Sequence, residues 1–180
     1  MKINNKQITF AAIGLALITT IFALSIHFNV ASAAKEGGKT FGSWKVFCQK
    51  NPQGDKKEVC LLTQTLNVVN NESKEQQELA IFQFGYFGDK KELKMVQSLP
   101  LGVSIQAGTS LVSSQKLLAP GQYQTCLNTK CNAVATISDQ DLKTILSGKD
   151  NAVAFMSYDG KNISIPLDTK GLKEGLNYIK

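Results

Sequence analysis

Apolar and polar residues alternate along the chain in short runs. Residues 41–50 place a tryptophan, a valine and Cys48 on one side of an extended chain and mostly polar residues on the other. Residues 59–69 repeat the alternation, with Cys60 on the apolar face. A polar segment with a proline and a glycine, residues 51–57, separates the two runs. The pattern predicts two antiparallel strands whose cysteines face each other.

The most apolar and aromatic run outside the N-terminal segment covers residues 79–87, with apolar side chains on both faces. It predicts a central strand in the core. The alternative is an aromatic strip that contacts a partner, because large exposed apolar patches are uncommon on monomers. The residues that we expect to be mostly buried are Trp44, Leu62, Phe82, Phe84, Val103, Val134 and Phe155.

Residues 98–108 combine a proline and two glycines with apolar residues at alternate positions, which predicts a half-buried strand entered through a turn. Further short strands are predicted at 110–112, 122–127 and 131–137, with a turn over residues 117–121 that ends in Pro120-Gly121.

Helix and hairpin signals follow toward the C-terminus. Ser138 and Asp141 have the spacing of a capping box, so we expect a helix from Ser138 that Gly148 ends. Asp159-Gly160 separates two apolar runs and predicts a β-hairpin. Residues 171–178 predict a short final helix.

This succession of about nine short strands predicts a mainly β fold. The expected architecture is an antiparallel β-sandwich or an open β-barrel with one or two short helices. No internal repeat or interdomain linker interrupts residues 34–180, which we expect to form a single domain.

The N-terminal segment has a different composition. Two early lysines precede an apolar run at residues 8–26, and an Ala-Ser-Ala motif ends at Ala33. These features predict a secretory signal peptide over residues 1–33, cleaved after Ala33 or Ala34. The alternative is an uncleaved inner-membrane anchor through residues 8–26, since that run is just long enough to span a bilayer.

Composition removes several classes of function. The net charge is +6, and the chain contains lysine but no arginine. Arginine is the residue that makes paired hydrogen bonds to phosphates and base edges, so a nucleic-acid partner is not expected. The only histidine, His27, lies in the predicted signal peptide. The exported chain would therefore have no Ser-His-Asp triad, Cys-His pair or histidine metal site.

Four cysteines in a chain with an export signal indicate two disulfides. Pairing within each predicted hairpin, Cys48 with Cys60 and Cys126 with Cys131, is favoured because opposed residues of antiparallel strands lie within disulfide range. A zinc site fits poorly, since only the second pair has a suitable spacing, and the redox motif Cys-x-x-Cys does not occur.

Five carboxylates are candidates for a catalytic role. Asp139 and Asp141 suit a helix N-terminus, and the other three fall in predicted turns: Asp89, Glu92 and Asp159. No pair is predicted to lie in a cleft, and no phosphate loop or nucleophile motif occurs. We expect no catalytic residue, cofactor, metal site or small-molecule substrate. Lys90, Lys91 and Lys94 are expected to form an exposed basic surface.

Three short motifs occur in a fixed order: Phe41-Gly-Ser-Trp44, Leu99-Pro-Leu-Gly-Val103 and Thr125-Cys-x(4)-Cys131. Together they resemble the invasion-associated locus B (IalB-like) family of bacterial exported proteins, over roughly residues 41–177. The chain differs from that family in lacking arginine and in its longer apolar N-terminus.

The resemblance implies a periplasmic, surface-associated or released protein linked to host-cell invasion or colonisation. It implies a non-enzymatic protein that binds an unidentified protein or cell-surface partner. Such a protein could also associate with a membrane, either peripherally or through its N-terminal segment. Two alternatives remain open. One is a periplasmic chaperone or inhibitor that binds by strand addition. The other is a hydrolase that uses carboxylates alone.

Overall fold

The computed structural model describes residues 38–50, 58–69 and 74–180. These residues form ten strands, two α-helices and one 3₁₀ turn. The strands are β1 (Thr40–Phe41), β2 (Trp44–Lys50), β3 (Glu58–Val69), β4 (Gln76–Phe87), β5 (Glu92–Pro100), β6 (Thr109–Ser113), β7 (Lys116–Leu127), β8 (Lys130–Thr136), β9 (Ala152–Met156) and β10 (Asn162–Pro166). The helices are α1 (Asp139–Ser147) and α2 (Leu172–Ile179), and the 3₁₀ turn is Ile105–Ala107. The predicted signal peptide and the 51–57 turn lie outside the described residues.

All ten strands belong to one sheet in the order β1-β2-β3-β4-β5-β8-β7-β6-β9-β10, and every pairing is antiparallel. The first five strands form a meander. The next three form a second meander whose last strand, β8, lies beside β5. The predicted mainly β antiparallel fold with short helices is therefore confirmed, and it takes the form of one open sheet.

The core lies on the inner face of this sheet. Trp44 and Phe84 are fully buried, and their rings meet edge to face with centroids 5.4 Å apart. Six of the seven residues expected in the core are buried. Val134 is the exception and is only partly buried. The alternation of β8 places Ala133 and Ala135 on the inner face, so the valine between them points outward.

The segment after β10 forms hydrogen bonds with residues at the opposite end of the sheet. The backbone oxygen of Asp168 accepts hydrogen bonds from Trp44 Nε1 at 2.8 Å and from Gln64 Nε2 at 3.0 Å. The Lys170 carbonyl accepts one from Ser43 N at 3.1 Å. Helix α2 then packs on β1–β4, with Gly175 directly against Leu62. The C-terminal segment thus contacts the β1–β3 end of the sheet through hydrogen bonds and helix packing, without strand pairing.

The strand predicted over residues 98–108 is wrong beyond Pro100. The chain leaves β5 there, turns at Gly102 with φ +88°, and crosses to the end of β9. Ser104 N donates to the Met156 carbonyl at 2.8 Å, and Tyr158 N donates to the Gly102 carbonyl at the same distance. The alternate apolar residues consequently do not share one face: Leu99 and Val103 are buried, whereas Leu101 and Ile105 are exposed.

The turn predicted over residues 117–121 is also wrong, because β7 runs through them. Pro120 lies opposite Ser110, beside an irregularity in the β6–β7 pairing, and pairing with β8 begins only at Gly121, so the proline occupies a bulge where it is tolerated. Gly121 permits close packing, since a Cβ there would lie 2.2 Å from Thr109 Oγ1. The actual turn is Ser114-Gln115, where both residues have positive φ values, +47° and +64°.

Candidate functional site

The cysteines form two cross-strand bridges. Cys48 on β2 lies opposite Cys60 on β3, and Cys126 on β7 lies opposite Cys131 on β8. Each pair forms a disulfide with a Cα–Cα distance of 4.0 Å. These are the pairs that the sequence favoured. Both bridges join neighbouring strands, so they hold the local register of the sheet.

All cysteine sulfurs are engaged in these bridges. In the part of the chain that the structure describes, no three Cys, His, Asp or Glu residues come close enough to hold a metal ion. No helix within those same residues is long and apolar enough to cross a membrane.

Of the five candidate carboxylates, Glu92 and Asp139 line the same groove, so the prediction that no pair lies in a cleft is wrong; the other three do not line it. Asp141 completes the capping box of α1: Ser138 Oγ accepts from Asp141 N at 3.0 Å, and Ser138 N donates to the Asp141 carboxylate at 3.3 Å. Glu92 pairs with Lys94 at 3.6 Å. Asp159 pairs with Lys161 at 2.6 Å. Each of these carboxylates therefore has a local structural role.

Hydrogen bonds set the acidity of two carboxylates. The Lys161 and Ser157 side chains hold the pKa of Asp159 below its ordinary value. Asp168 was not singled out from the sequence. Its pKa is lowered first by the hydrogen bond from the Ser43 hydroxyl and then by the one from Lys170 N at 2.9 Å. Asp168 lies at the junction that joins the two ends of the sheet.

The two helices and the β4–β5 hairpin enclose a groove of about 520 Å³, which we call the interhelix groove. Its apolar lining residues are Tyr86, Leu93, Ile137, Leu142, Leu146 and Leu176. Leu93, Ile137 and Leu176 are almost fully buried and form the floor. Burial, and secondarily the charge of Asp139, raises the pKa of Tyr86 on the same lining.

Four lysines line this groove, and we call them the rim lysines: Lys90, Lys91, Lys173 and Lys180. In the described part of the chain, no ion pair to an Asp or Glu side chain involves any of them. The acidic residues of the lining are Glu92, which is paired with Lys94, and Asp139 at the start of α1. The rim therefore carries an excess of positive charge.

The expected basic surface is only partly correct. Lys90 and Lys91 lie on the groove, but Lys94 lines a separate depression of about 500 Å³ on the β5–β8–β7 side of the sheet. Successive residues of β5 point to opposite faces of the sheet, so Leu93 faces the groove and Lys94 faces the separate depression. Lys173 and Lys180 were missed because α2 is remote in sequence from the β4–β5 turn, and only folding brings the two together.

The family model described as "Invasion associated locus B (IalB) protein" matches residues 44–180. Among solved structures, the chain is similar to the crystal structure of invasion associated protein b from Bartonella henselae, with a TM-score of 0.63 and 14% sequence identity. That similarity covers 78% of this chain and 92% of the other, and it supports the fold. Comparison with curated proteins gives no match. On the family match over most of its length, this chain belongs to the Invasion associated locus B (IalB) protein family.

Proposed function

We propose that this protein is exported and acts by binding a protein or cell-surface partner, without turning over a substrate, and that this binding contributes to host-cell invasion or colonisation. The single observation that carries the binding role is the interhelix groove. It combines an apolar floor with cationic side chains that, among the described residues, make no ion pair with an Asp or Glu side chain. Such a surface attracts acidic partners and offers them apolar contact.

Family membership and the two disulfides support the location outside the cytoplasm, because disulfides persist in oxidising compartments. The arrangement of acidic groups supports binding over catalysis. General acid–base chemistry needs a proton-transfer group aimed at a shared site, whereas Asp141 and Asp159 are occupied by a helix cap and a hairpin turn. Glu92, which shares the groove with Asp139, is paired with Lys94.

Export is tested by sequencing the N-terminus of the protein from its native host. The expected mature N-terminus is Ala34 or Lys35, since the Ala-Ser-Ala motif ends at Ala33. Recovery of the full-length species alone, in the membrane fraction, would contradict cleavage and favour an anchor through residues 8–26.

The binding role is tested by complementing a deletion strain in a host-cell invasion assay. Replacing each of the five candidate carboxylates singly by its amide should leave invasion intact. Replacing Lys90, Lys91 and Lys173 together by glutamine should reduce it, whereas Lys116→Gln, at an exposed position on β7 outside the groove, is the control. A single amide variant that folds and is exported but abolishes invasion would instead indicate an enzyme.

The free edge of the sheet favours a second candidate, binding by strand addition. β10 is the terminal strand and pairs only with β9, and Asn162, Ile163 and Ser164 are exposed along it. An extended peptide can add to such an edge. Ile163→Lys should then abolish binding, because a charge at an edge strand opposes pairing, while the rim-lysine variant should bind normally. The opposite pattern supports the groove.

A further inference from the structure

We infer that the interhelix groove is a site for a small anionic amphiphile, a free molecule with one alkyl chain and a carboxylate head. This inference rests on the proposed binding function and names a ligand class for the same groove. It follows from the size of the groove, the depth of its apolar floor and the charge on its rim.

Size favours a small ligand. A volume of about 520 Å³ lies within the range of roughly 300–1,000 Å³ that is typical of small-molecule pockets. The helices form two walls, and the β4–β5 hairpin forms the third. One flexible alkyl chain can follow the space between these walls.

The depth of the floor argues against a membrane surface or a docked helix. Leu93 is 8% exposed, Ile137 5% and Leu176 3%, so the floor of the groove belongs to the core and lies deeper than the rest of the lining. Leu142 and Leu146 on α1 remain partly exposed and extend the apolar lining outward. A flat bilayer or a rigid helix would contact the outer residues and leave the floor untouched.

The charge on the rim selects the head group. Lys90 and Lys91 come from the β4–β5 turn, Lys173 lies on α2 and Lys180 directly follows it, so cations approach the groove from two sides. Lys91 Nζ donates to a main-chain oxygen of Lys180 at 3.3 Å, which brings the turn into contact with the residue after α2. An anionic head placed among these ammonium groups gains charge-assisted hydrogen bonds while the chain lies on the leucines. An acidic glycan would satisfy the lysines but not the apolar floor.

The test is calorimetric titration of the protein purified from its native host with monomeric dodecanoate, below its micelle concentration. The neutral probe of matched chain length is dodecanol, and anionic phospholipid vesicles provide the membrane arm. We expect saturable binding of dodecanoate, weaker binding of dodecanol and no binding of vesicles. Added salt should weaken the dodecanoate affinity, because exposed charges are screened.

Variants locate the site. Lys90, Lys91 and Lys173 changed together to glutamine should weaken dodecanoate binding by roughly tenfold, the combined effect of several exposed charge contacts. Leu146→Trp should block the groove, and Lys116→Gln, outside the groove, should bind as the parent does. Thermal melting of each variant checks folding. The salt titration of the parent tests the charge requirement without any substitution.

Equal affinity for dodecanol and dodecanoate would overturn the role of the rim lysines. Binding of vesicles but not of dodecanoate would overturn the ligand class in favour of a membrane surface. Absence of dodecanoate binding, together with an invasion assay that still depends on the rim lysines, would refute the amphiphile and leave the proposed function standing. An invasion assay indifferent to those lysines would remove the groove from the proposed function itself.

Discussion

Single buried side chains carry much of the stability of this fold. Phe84 is fully buried on the inner face of β4 and contacts Trp44. Sequence analysis left two interpretations of the aromatic strand, core or partner surface. The buried positions of Phe82 and Phe84 support the core interpretation, because β4 lies between β3 and β5 with its inner face covered.

Phe84→Ala should destabilise the protein by about 3–5 kcal/mol, the usual cost of removing a buried aromatic ring and leaving a cavity. Chemical denaturation followed by tryptophan fluorescence would measure it, since Trp44 is the only tryptophan. Phe47→Ala, at an exposed position on the same sheet, is the control and should change stability little. Equal melting of both variants and the parent would contradict a core role for Phe84.

A buried hydroxyl marks a second informative residue. The hydroxyl of Tyr123 is buried and has no hydrogen-bond partner among the described residues, and burial raises the pKa of this side chain to about 12. Tyr123→Phe should leave stability unchanged or raise it by up to about 1 kcal/mol, because the desolvated group is removed. Tyr158→Phe, at a position 82% exposed, is the control in the same denaturation assay. A clear loss of stability on Tyr123→Phe would show that the hydroxyl has a bonded partner in solution.

Among the elements, α1 illustrates how a local signal positions the groove. Its capping box begins the helix directly after β8, and Ile145 packs into the core while Leu142 and Leu146 line the groove. The capping box therefore sets the residue at which α1, one wall of the interhelix groove, begins.

Ser138→Ala should destabilise the protein by about 0.5–2 kcal/mol, because it removes the side chain that caps Asp141 N. Thermal or urea denaturation would measure the loss. Ser138→Asp retains a capping oxygen and should recover most of the stability, whereas equal losses for both variants would show that the cap contributes nothing at this position.

At the scale of the whole molecule, the junction at Asp168 connects the two ends of the open sheet. Its backbone oxygen binds β2 and β3, and its carboxylate accepts hydrogen bonds from the Ser43 hydroxyl and from Lys170 N. Because these bonds favour the ionised carboxylate, its folded-state pKa is below the ordinary value of 3.8.

A lowered folded-state pKa makes a stabilising contribution that is complete above the ordinary value and lost as pH falls through the lowered one. Stability should therefore fall as pH drops below 3.8, and Asp168→Asn should flatten that part of the profile. Urea denaturation at a series of pH values would measure this, with Asp89→Asn in the exposed β4–β5 turn as the control. An unchanged acid profile in Asp168→Asn would mean that the carboxylate does not hold the junction.

Local sequence signals determined much of this protein. Alternation of apolar and polar residues predicted most strands, because the side-chain period of a strand is a property of its own backbone. The capping box and the Asp-Gly turn likewise depend on residues close in sequence, and both were predicted correctly. The order of three short motifs was sufficient to indicate the family that the match over residues 44–180 establishes.

Tertiary structure decided the rest. The Ser114-Gln115 turn carries no glycine signal, so its position depends on the pairing of β6 with β7. Pro120 and Gly121 stay within β7 because of two contacts with remote strands. Gly121 pairs with both β6 and β8, and only a residue without a Cβ can lie this close to Thr109. The rim lysines come together only because α2 folds back onto the sheet beside the β4–β5 turn. Such groupings depend on contacts between residues remote in sequence, which no local pattern encodes.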